Sequence, residues 1–215
     1  MSSKKIKNHK LTNIVSTYFK IIPCPIPNMI YMNEESWIKV IKLDDSVGLS
    51  TQEFDKLWLA KPKNRIQFKI GSLTVNCPRY TESYLRPPIE NLKFFEVMPQ
   101  KVEELMKFAQ KTCKNLNQCT VNWYDKDGWV GKYSDDYIQM LPDSPIYSFS
   151  FGSTRLFHLN PRNGDGPDFY IRLEHNTIVV MGGKCQQYYL HSVPYCSNCP
   201  DNKRLINVTF RCLNW

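Results

Sequence analysis

The 215-residue sequence lacks any apolar run of the roughly 18 residues that a membrane-spanning helix requires. Its first residues, Met1-Ser-Ser-Lys-Lys-Ile-Lys, lack the apolar stretch of a secretory signal peptide. The composition also lacks the polar bias of a disordered chain, because 42% of the residues are hydrophobic and 13% are aromatic. We therefore expect a folded protein without membrane association, inside a cell, in the cytoplasm or nucleus.

A complete metal-binding set of cysteines is also missing. Eight cysteines are scattered through the chain, and only Cys196 and Cys199 have the Cys-x-x-Cys spacing of metal ligands. A structural zinc ion takes four ligands, so Cys185, His191 or Cys212 would have to complete the set in space. We favour two free cysteines in a loop over a zinc site. Reduced thiols are favoured over disulfides, because no export signal is present.

The charge of the chain is unbalanced, with a formal net charge of +8 at pH 7. A basic surface favours a polyanionic partner, because lysine and arginine gain free energy by releasing counterions from a phosphate backbone. Lys4, Lys5, Lys7 and Lys10 lie in a basic segment, residues 1–18, that we expect to be a flexible tail. These lysines also fit a merely solubilising role, so the charge alone leaves nucleic-acid binding open.

The pattern from residue 118 onward is typical of a mainly β domain. Seven short segments of strand-forming residues alternate with turns rich in Gly, Pro, Asn and Asp, which predicts a sandwich or barrel. The segments are 119–124, 146–151, 155–159, 169–173, 177–181, 187–191 and 205–211. We expect a single domain, residues 19–215, with its β core at 118–212.

Residues 19–117 are expected to supply helices that pack outside this β core. Asn33 suits a helix N-cap, and Trp37, Val40 and Ile41 would share a face, so a helix is predicted at 33–41. An amphipathic pattern predicts a second helix at 99–113. Residues 45–65 read as irregular, and 66–70 and 73–75 as short strands.

Four segments of the sequence carry distinctive motifs. They are 122–136, with Asn-x-Tyr and then Tyr-x-Asp-Asp; 144–157, with Ser-Pro-Ile-x-Ser-x-Ser-x-Gly-x-x-Arg-x-Phe; 181–194, with His-Ser-Val-Pro; and 206–211, Ile-Asn-Val-Thr-Phe-Arg. In this order they resemble the AlkB-like Fe(II)/2-oxoglutarate oxygenases, which remove alkyl groups from nucleobases by oxidation and have His-x-Asp-Asp where this chain has Tyr-x-Asp-Asp. The resemblance covers residues 118–212, and more loosely 20–117, where 78–84 is similar to the family's nucleotide-recognition region.

The resemblance implies a double-stranded β-helix, a jelly-roll or cupin-like fold of the α+β, mainly β class. It also implies a site for Fe(II), held on one face by two histidines and a carboxylate, with 2-oxoglutarate beside it. Each expected role can be assigned to positions of this chain. The metal positions are Tyr133, Asp135 and His191; the cosubstrate positions are Asn122, Tyr124, Arg204 and Arg211; and the substrate-pocket positions are Arg79, Tyr84, Asp136 and Arg155.

Tyr133 departs from the family pattern, because a histidine is expected there. A phenol has an ordinary pKa near 10 and must lose its proton to bind a metal as an anion, whereas imidazole binds while neutral. Two interpretations stay open: an unusual Tyr/Asp/His iron site, or a ring that fills the vacated metal position. We favour the second.

The last strand contains a second departure. The family carries an arginine six positions before the terminal arginine, here Arg211, and that position is Leu205. Arg204 lies next to it, but its strand parity is opposite to that of Arg211, and only a β-bulge would turn it inward. Both orientations of Arg204 stay open.

These departures favour a pseudoenzyme with weakened or lost iron and 2-oxoglutarate binding. Its partner would be nucleic acid, either DNA or RNA, with single strands included. The first alternative is an active nucleic-acid demethylase with an atypical iron site. The second is a non-catalytic subunit that binds a protein partner, since a fold alone does not determine a function.

Overall fold

The computed structural model describes residues 19–22, 29–85, 97–136, 138–195 and 203–214. The expected tail at 1–18 and the pair Cys196 and Cys199 lie outside these ranges. No helix within them is long and apolar enough to cross a bilayer.

The described residues form mostly strands, as the sequence predicts. The strands are β1 (Phe19–Ile22), β2 (Ile30–Tyr31), β3 (Ser36–Lys42), β4 (Gln67–Ile70), β5 (Leu73–Asn76), β6 (Tyr80–Leu85), β7 (Gln118–Tyr124), β8 (Val130–Tyr133), β9 (Ile146–Gly152), β10 (Arg155–Pro161), β11 (Asp168–Leu173), β12 (Thr177–Gly183), β13 (Tyr189–Val193) and β14 (Leu205–Arg211). The helices are α1 (Thr51–Leu59), α2 (Gln100–Gln110) and the short α3 (Cys185–Tyr188).

Two sheets make up the β core. The larger has the order β2-β3-β12-β9-β14-β7-β6, and the smaller has the order β1-β11-β10-β13-β8. Apolar side chains from both sheets share one buried cluster, the inner core, which includes Leu205 and Phe157. The predicted double-stranded β-helix is thus confirmed. A separate hairpin, β4–β5, lies outside both sheets.

Helices α1 and α2 cover the outer face of the larger sheet. Phe54 of α1 and Leu105 of α2 join a second cluster, the outer core, with Val208 and Phe210 of β14. Alternation along β14 explains this division, because successive side chains of a strand point to opposite faces. Odd-numbered positions from Leu205 to Arg211 therefore face the inner core.

Two local predictions are wrong. Residues 33–41 contain strand β3 instead of a helix, because this segment pairs along its whole length with β12 and buries alternate residues such as Ile38 and Val40. Residues 45–65, expected to be irregular, contain α1. Its start is a capping box, in which the Ser50 hydroxyl accepts from the Glu53 backbone and the Glu53 carboxylate accepts from the Ser50 backbone. The predicted helix at 99–113 is confirmed as α2.

Candidate functional site

The expected metal positions meet at the edge of the smaller sheet. Strands β8 and β13 pair so that Tyr133 lies opposite His191, and the register shifts between His191 and Val193. The ring centroids of Tyr133 and His191 are 4.2 Å apart, with an interplanar angle of 54°. Asp135 Oδ2 lies 3.8 Å from His191 Nε2. The structure therefore brings Tyr133, Asp135 and His191 together.

Arg211 binds the carboxylate of Asp135 inside the protein. Its Nη2 donates to both carboxylate oxygens at 3.0 Å, and its Nη1 donates to Gln118 Oε1 at 3.0 Å and to Thr120 Oγ1 at 3.1 Å. Asp135 is 1% exposed and Arg211 is 4% exposed. The Asp135 backbone N–H also donates to Gln186 Oε1 at 2.9 Å. Asp135 thus already has a charged partner within the chain.

Burial fixes the protonation of the two aromatic rings. It raises the pKa of the Tyr133 phenol well above its usual range, and the charge of Asp135 acts in the same direction. Burial lowers the pKa of His191 to about 4, although the charge of Asp135 opposes that shift. At neutral pH the chain therefore presents a protonated phenol and a neutral imidazole, with the charge of Asp135 balanced by Arg211.

The pKa of His191 leads to a prediction for the metal-free protein. The unfolded chain protonates His191 near its ordinary pKa of 6.5, whereas the folded protein does so only near 4. The contribution of neutral His191 to stability is thus complete above pH 6.5 and is lost as the pH falls towards 4, by on the order of 3 kcal/mol. Urea unfolding at about pH 7 and about pH 4.5 should show a smaller acid-induced loss for His191→Gln than for the wild type. Equal losses in the two proteins would contradict this assignment.

The space beside the rings of Tyr133 and His191 is nearly filled, although a separate cavity of about 260 Å³ borders Asp135 and Gln186. A cavity of about 10 Å³ lies among Tyr124, Tyr133, Phe157, His191 and Asn207. Such a volume holds about one water molecule and is far too small for a five-carbon dicarboxylate. The side chains of the inner core therefore occupy the centre of the β-helix.

The expected cosubstrate positions are divided between the two faces of the larger sheet. Tyr124 lines the small cavity, and burial raises the pKa of its phenol to about 12. Asn122 accepts a hydrogen bond from Arg79 Nε at 2.9 Å. Arg211 binds Asp135, as described above.

The expectation that Arg204 reaches the cosubstrate site is not met. Its Nη2 lies 2.6 Å from Asp55 Oδ1 on α1, and its guanidinium lies over the rings of Phe54 and Trp58. The pairing of β14 with β7 and β9 is regular from Leu205 onward, so no bulge turns Arg204 inward. Leu205 is fully buried in the inner core. Strand parity therefore decided the orientation of Arg204.

The expected substrate-pocket residues are also scattered. Arg79 lies beside Asn122, but Tyr84 is 3% exposed and packs in the outer core, away from the cavity. Asp136 is at the surface, where it binds Arg162 at 2.9 Å. Arg155 is 2% exposed, and its Nη2 donates to backbone carbonyls, including that of Asp125 at 3.0 Å.

Three polar residues of the site were not identified from the sequence. Gln118 and Thr120 hold Arg211, and Gln186 holds the backbone of Asp135. Gln118 and Thr120 lie four and two positions before Asn122 on the same strand, so their side chains point to the same face as Asn122. This alternation is the one sequence signal that could have identified them. Nothing in the local sequence around Gln186 indicates its contact with Asp135.

The residues present do not fit an Fe(II)/2-oxoglutarate centre. The described part of the chain contains no group of three or more His, Cys, Asp or Glu side chains arranged to hold a metal ion. One of the three expected donors is a protonated phenol, and another is bound by Arg211. An apolar Leu205 stands where the family places a cationic partner for the cosubstrate.

Comparison with known proteins agrees with the fold. A model of the 2OG-Fe(II) oxygenase superfamily matches residues 34–211. The chain is 26% identical over 197 residues to alpha-ketoglutarate-dependent dioxygenase alkB homolog 3 of Rattus norvegicus, covering 87% of this chain and 63% of that protein. It is 29% identical over 118 residues to DNA oxidative demethylase ALKBH2 of Mus musculus, covering 49% of this chain and 46% of that protein.

The chain thus spans less than two thirds of the length of these curated relatives. Among solved structures, that of OsALKBH1 is similar, with a TM-score of 0.53 and 17% identity, covering 86% of this chain and 99% of that one. The family match extends over most of the sequence, and the four motifs lie within it in order. The chain belongs to the 2OG-Fe(II) oxygenase superfamily, as an AlkB-like member.

Proposed function

We propose that this protein binds nucleic acid through an AlkB-like fold without oxidising it. The observation that carries the proposal is the Asp135–Arg211 ion pair beside the Tyr133–His191 ring contact. These contacts engage, within the chain, the side chains at all three positions that would hold iron in the family. The pocket is then a packed part of the core.

The protonation of Tyr133 supports the loss of iron binding. A phenol whose pKa is raised by burial gives up its proton only at a large cost, and binding iron requires that loss. Iron would also have to draw Asp135 away from Arg211, which would leave a buried guanidinium without its carboxylate partner. Both costs oppose formation of a Tyr/Asp/His iron site.

The inner face of β14 supports the loss of cosubstrate binding. A carboxylate entering a buried site needs a charged or hydrogen-bonding partner to replace its hydration. Leu205 supplies none, and Arg204 is bound to Asp55 on the other face of the sheet. The cavity of about 10 Å³ would also have to open by displacing side chains of the inner core.

A basic groove beside the β4–β5 hairpin supports nucleic-acid binding. The groove has a volume of about 750 Å³ and is lined by Lys63, Asn64, Arg65, Gln67, Asn76 and Tyr80. The guanidinium of Arg65 lies 4.9 Å from the centroid of the Tyr80 ring. Lysine and arginine attract the phosphates of single-stranded nucleic acid, and aromatic rings stack on its bases. In this groove Arg65 also pairs with Asp125, and the Tyr80 ring is partly exposed. The name of one relative, DNA oxidative demethylase, is consistent with such a partner.

Two other functions each have an observation in their favour. The proximity of Tyr133, Asp135 and His191 favours an active dioxygenase with an atypical iron site, the activity that the relatives' names describe. The exposed apolar face of the β4–β5 hairpin favours a subunit that binds a protein partner. That face contains Ile66, Phe68, Ile70, Leu73 and Val75.

We expect binding to a single-stranded oligonucleotide to weaken steeply as salt rises, as measured by fluorescence anisotropy. Replacing Lys63 and Arg65 together with glutamine should lower the affinity at low salt. If both side chains contact phosphates, the double substitution should also reduce the slope of log affinity against log salt concentration by about 1.4. Each phosphate contact with a single strand contributes about 0.7 to that slope. Lys107→Gln is a control that removes one charge elsewhere, because Lys107 is exposed on α2, where it pairs with Glu103, and it should change the affinity little.

DNA and RNA oligonucleotides of the same sequence distinguish the two partner classes in this assay. Absence of binding at low salt, or binding that does not respond to salt, would favour the protein-binding alternative.

A further inference from the structure

Two cysteines meet where α2 and β14 end. The Sγ atoms of Cys113 and Cys212 are 3.5 Å apart, although the residues are separated by 99 positions in the sequence. Cys113 follows α2 in a turn and is half-buried, whereas Cys212 directly follows β14 and is 1% exposed. Both are free thiols in this structure.

This pair differs from the other described cysteines. Cys77, Cys119 and Cys185 are also free and buried, and among the described residues only Cys113 and Cys212 have their sulfur atoms in contact. A disulfide has an S–S bond of about 2.05 Å, so a movement of the turn that holds Cys113 by about 1.5 Å would bring the two sulfur atoms into bonding distance.

We propose that Cys113 and Cys212 form a site of reversible oxidation, closing an intramolecular disulfide when the protein meets a low-molecular-weight disulfide such as oxidised glutathione. The thiolate of Cys113 attacks the oxidant first, forming a mixed disulfide and releasing one thiol. The thiolate of Cys212 then attacks the sulfur of Cys113 and releases the second thiol. The protein loses two electrons and two protons, and the oxidant is reduced to two thiols.

The exposure of the two residues gives the order of the steps. Cys113 is accessible from the surface, whereas Cys212 is enclosed by the outer core. Burial and the hydrogen bond with Cys113 raise the pKa of Cys212 to about 12, so Cys212 is the slower nucleophile.

The disulfide would link the turn after α2 to the end of β14, the strand that contains Arg211. Cys212 is adjacent to Arg211, which binds Asp135. Its backbone carbonyl also accepts from the Leu141 N–H at 2.9 Å. A cross-link that joins residues so far apart in the sequence restricts the unfolded chain, so the oxidised form should have a higher Tm. This site is independent of the proposed nucleic-acid binding.

Treatment of the 215-residue protein with oxidised glutathione, followed by non-reducing peptide mapping, tests the proposal. We expect a peptide that links Cys113 to Cys212, a higher Tm, and reversal of both effects by dithiothreitol. Cys113→Ser should abolish the linked peptide and the rise in Tm, whereas Cys185→Ala should leave both unchanged.

Either of two results would overturn the proposal. One is a wild-type protein that retains glutathione on Cys113 without closing the bond. The other is a map in which Cys113 and Cys212 stay reduced while other cysteines become linked. Mapping the wild type distinguishes these results even if Cys113→Ser fails to fold.

Discussion

Replacing Arg211 with methionine is expected to lower the free energy of unfolding by about 3–5 kcal/mol, the usual cost of removing one partner of a buried ion pair. The carboxylate of Asp135 is 1% exposed and receives two hydrogen bonds from Arg211 Nη2. Methionine fills a similar volume but leaves that carboxylate buried without its cation. Urea unfolding at neutral pH measures the loss.

Arg204→Met is the matched control, because Arg204 directly precedes β14 and its side chain pairs with Asp55 at the surface. Its loss should be under about 1 kcal/mol. Adding Asp135→Leu to Arg211→Met should recover much of the stability, since a buried pair is often replaced by apolar residues at little cost. Equal losses for Arg211→Met and Arg204→Met would show that the Asp135–Arg211 pair is not a buried structural contact.

Tyr133→His is expected to create an Fe(II) site, which we propose the wild type lacks. The substitution would give the two histidines and one carboxylate that Fe(II) sites of this family require, with Asp135 and His191 as the other ligands. It also removes the need to deprotonate a buried phenol, and the smaller ring leaves more space beside His191. Tyr133→Phe is the matched control, because it keeps the ring and supplies no ligand atom.

Binding of 2-oxoglutarate is expected to require a further change. In Tyr133→His the carboxylate of the cosubstrate would still meet the apolar side chain of Leu205. Adding Leu205→Arg supplies a bidentate partner on the inward face of β14, so the double variant should bind 2-oxoglutarate more tightly than the single one. Equal affinities of the two variants for 2-oxoglutarate would show that another group already binds its carboxylate. Failure of both variants to bind Fe(II) would show that one substitution is not enough to reopen the metal site.

The alternation of apolar residues predicted most of the strands correctly. The prediction was wrong where one segment fits both the helical and the strand pattern. In the segment at 33–41, Trp37, Val40 and Ile41 have the spacing of one helix face. Ile38 and Val40 also have the two-residue spacing of one strand face. The long-range pairing of β3 with β12 decided the outcome, and such pairing is absent from the local sequence. At α1 the signal was present in the sequence, because Ser50 and Glu53 have the spacing of a capping box.

The site was predictable in position but not in its contacts. Motif order placed Tyr133, Asp135 and His191 near each other, whereas it also assigned a cosubstrate role to Arg204 and left its orientation open, and the structure turns Arg204 outward. Local sequence did not reveal that Arg211 would bind Asp135, because the two residues are separated by 76 positions. The burial of Tyr84 in the outer core was missed for the same reason: it depends on helices packed against β6 from elsewhere in the chain.

Anaerobic titration of the wild-type protein with Fe(II), followed by 2-oxoglutarate, tests the central claim most directly. The Tyr133→His variant, titrated in parallel, provides the comparison for a rebuilt site. The closed pocket predicts that the wild type binds neither Fe(II) nor 2-oxoglutarate at this site, and that it forms no succinate when methylated oligonucleotide and oxygen are added. Stoichiometric Fe(II) binding by the wild type, with succinate formation that depends on the methylated base, would contradict it.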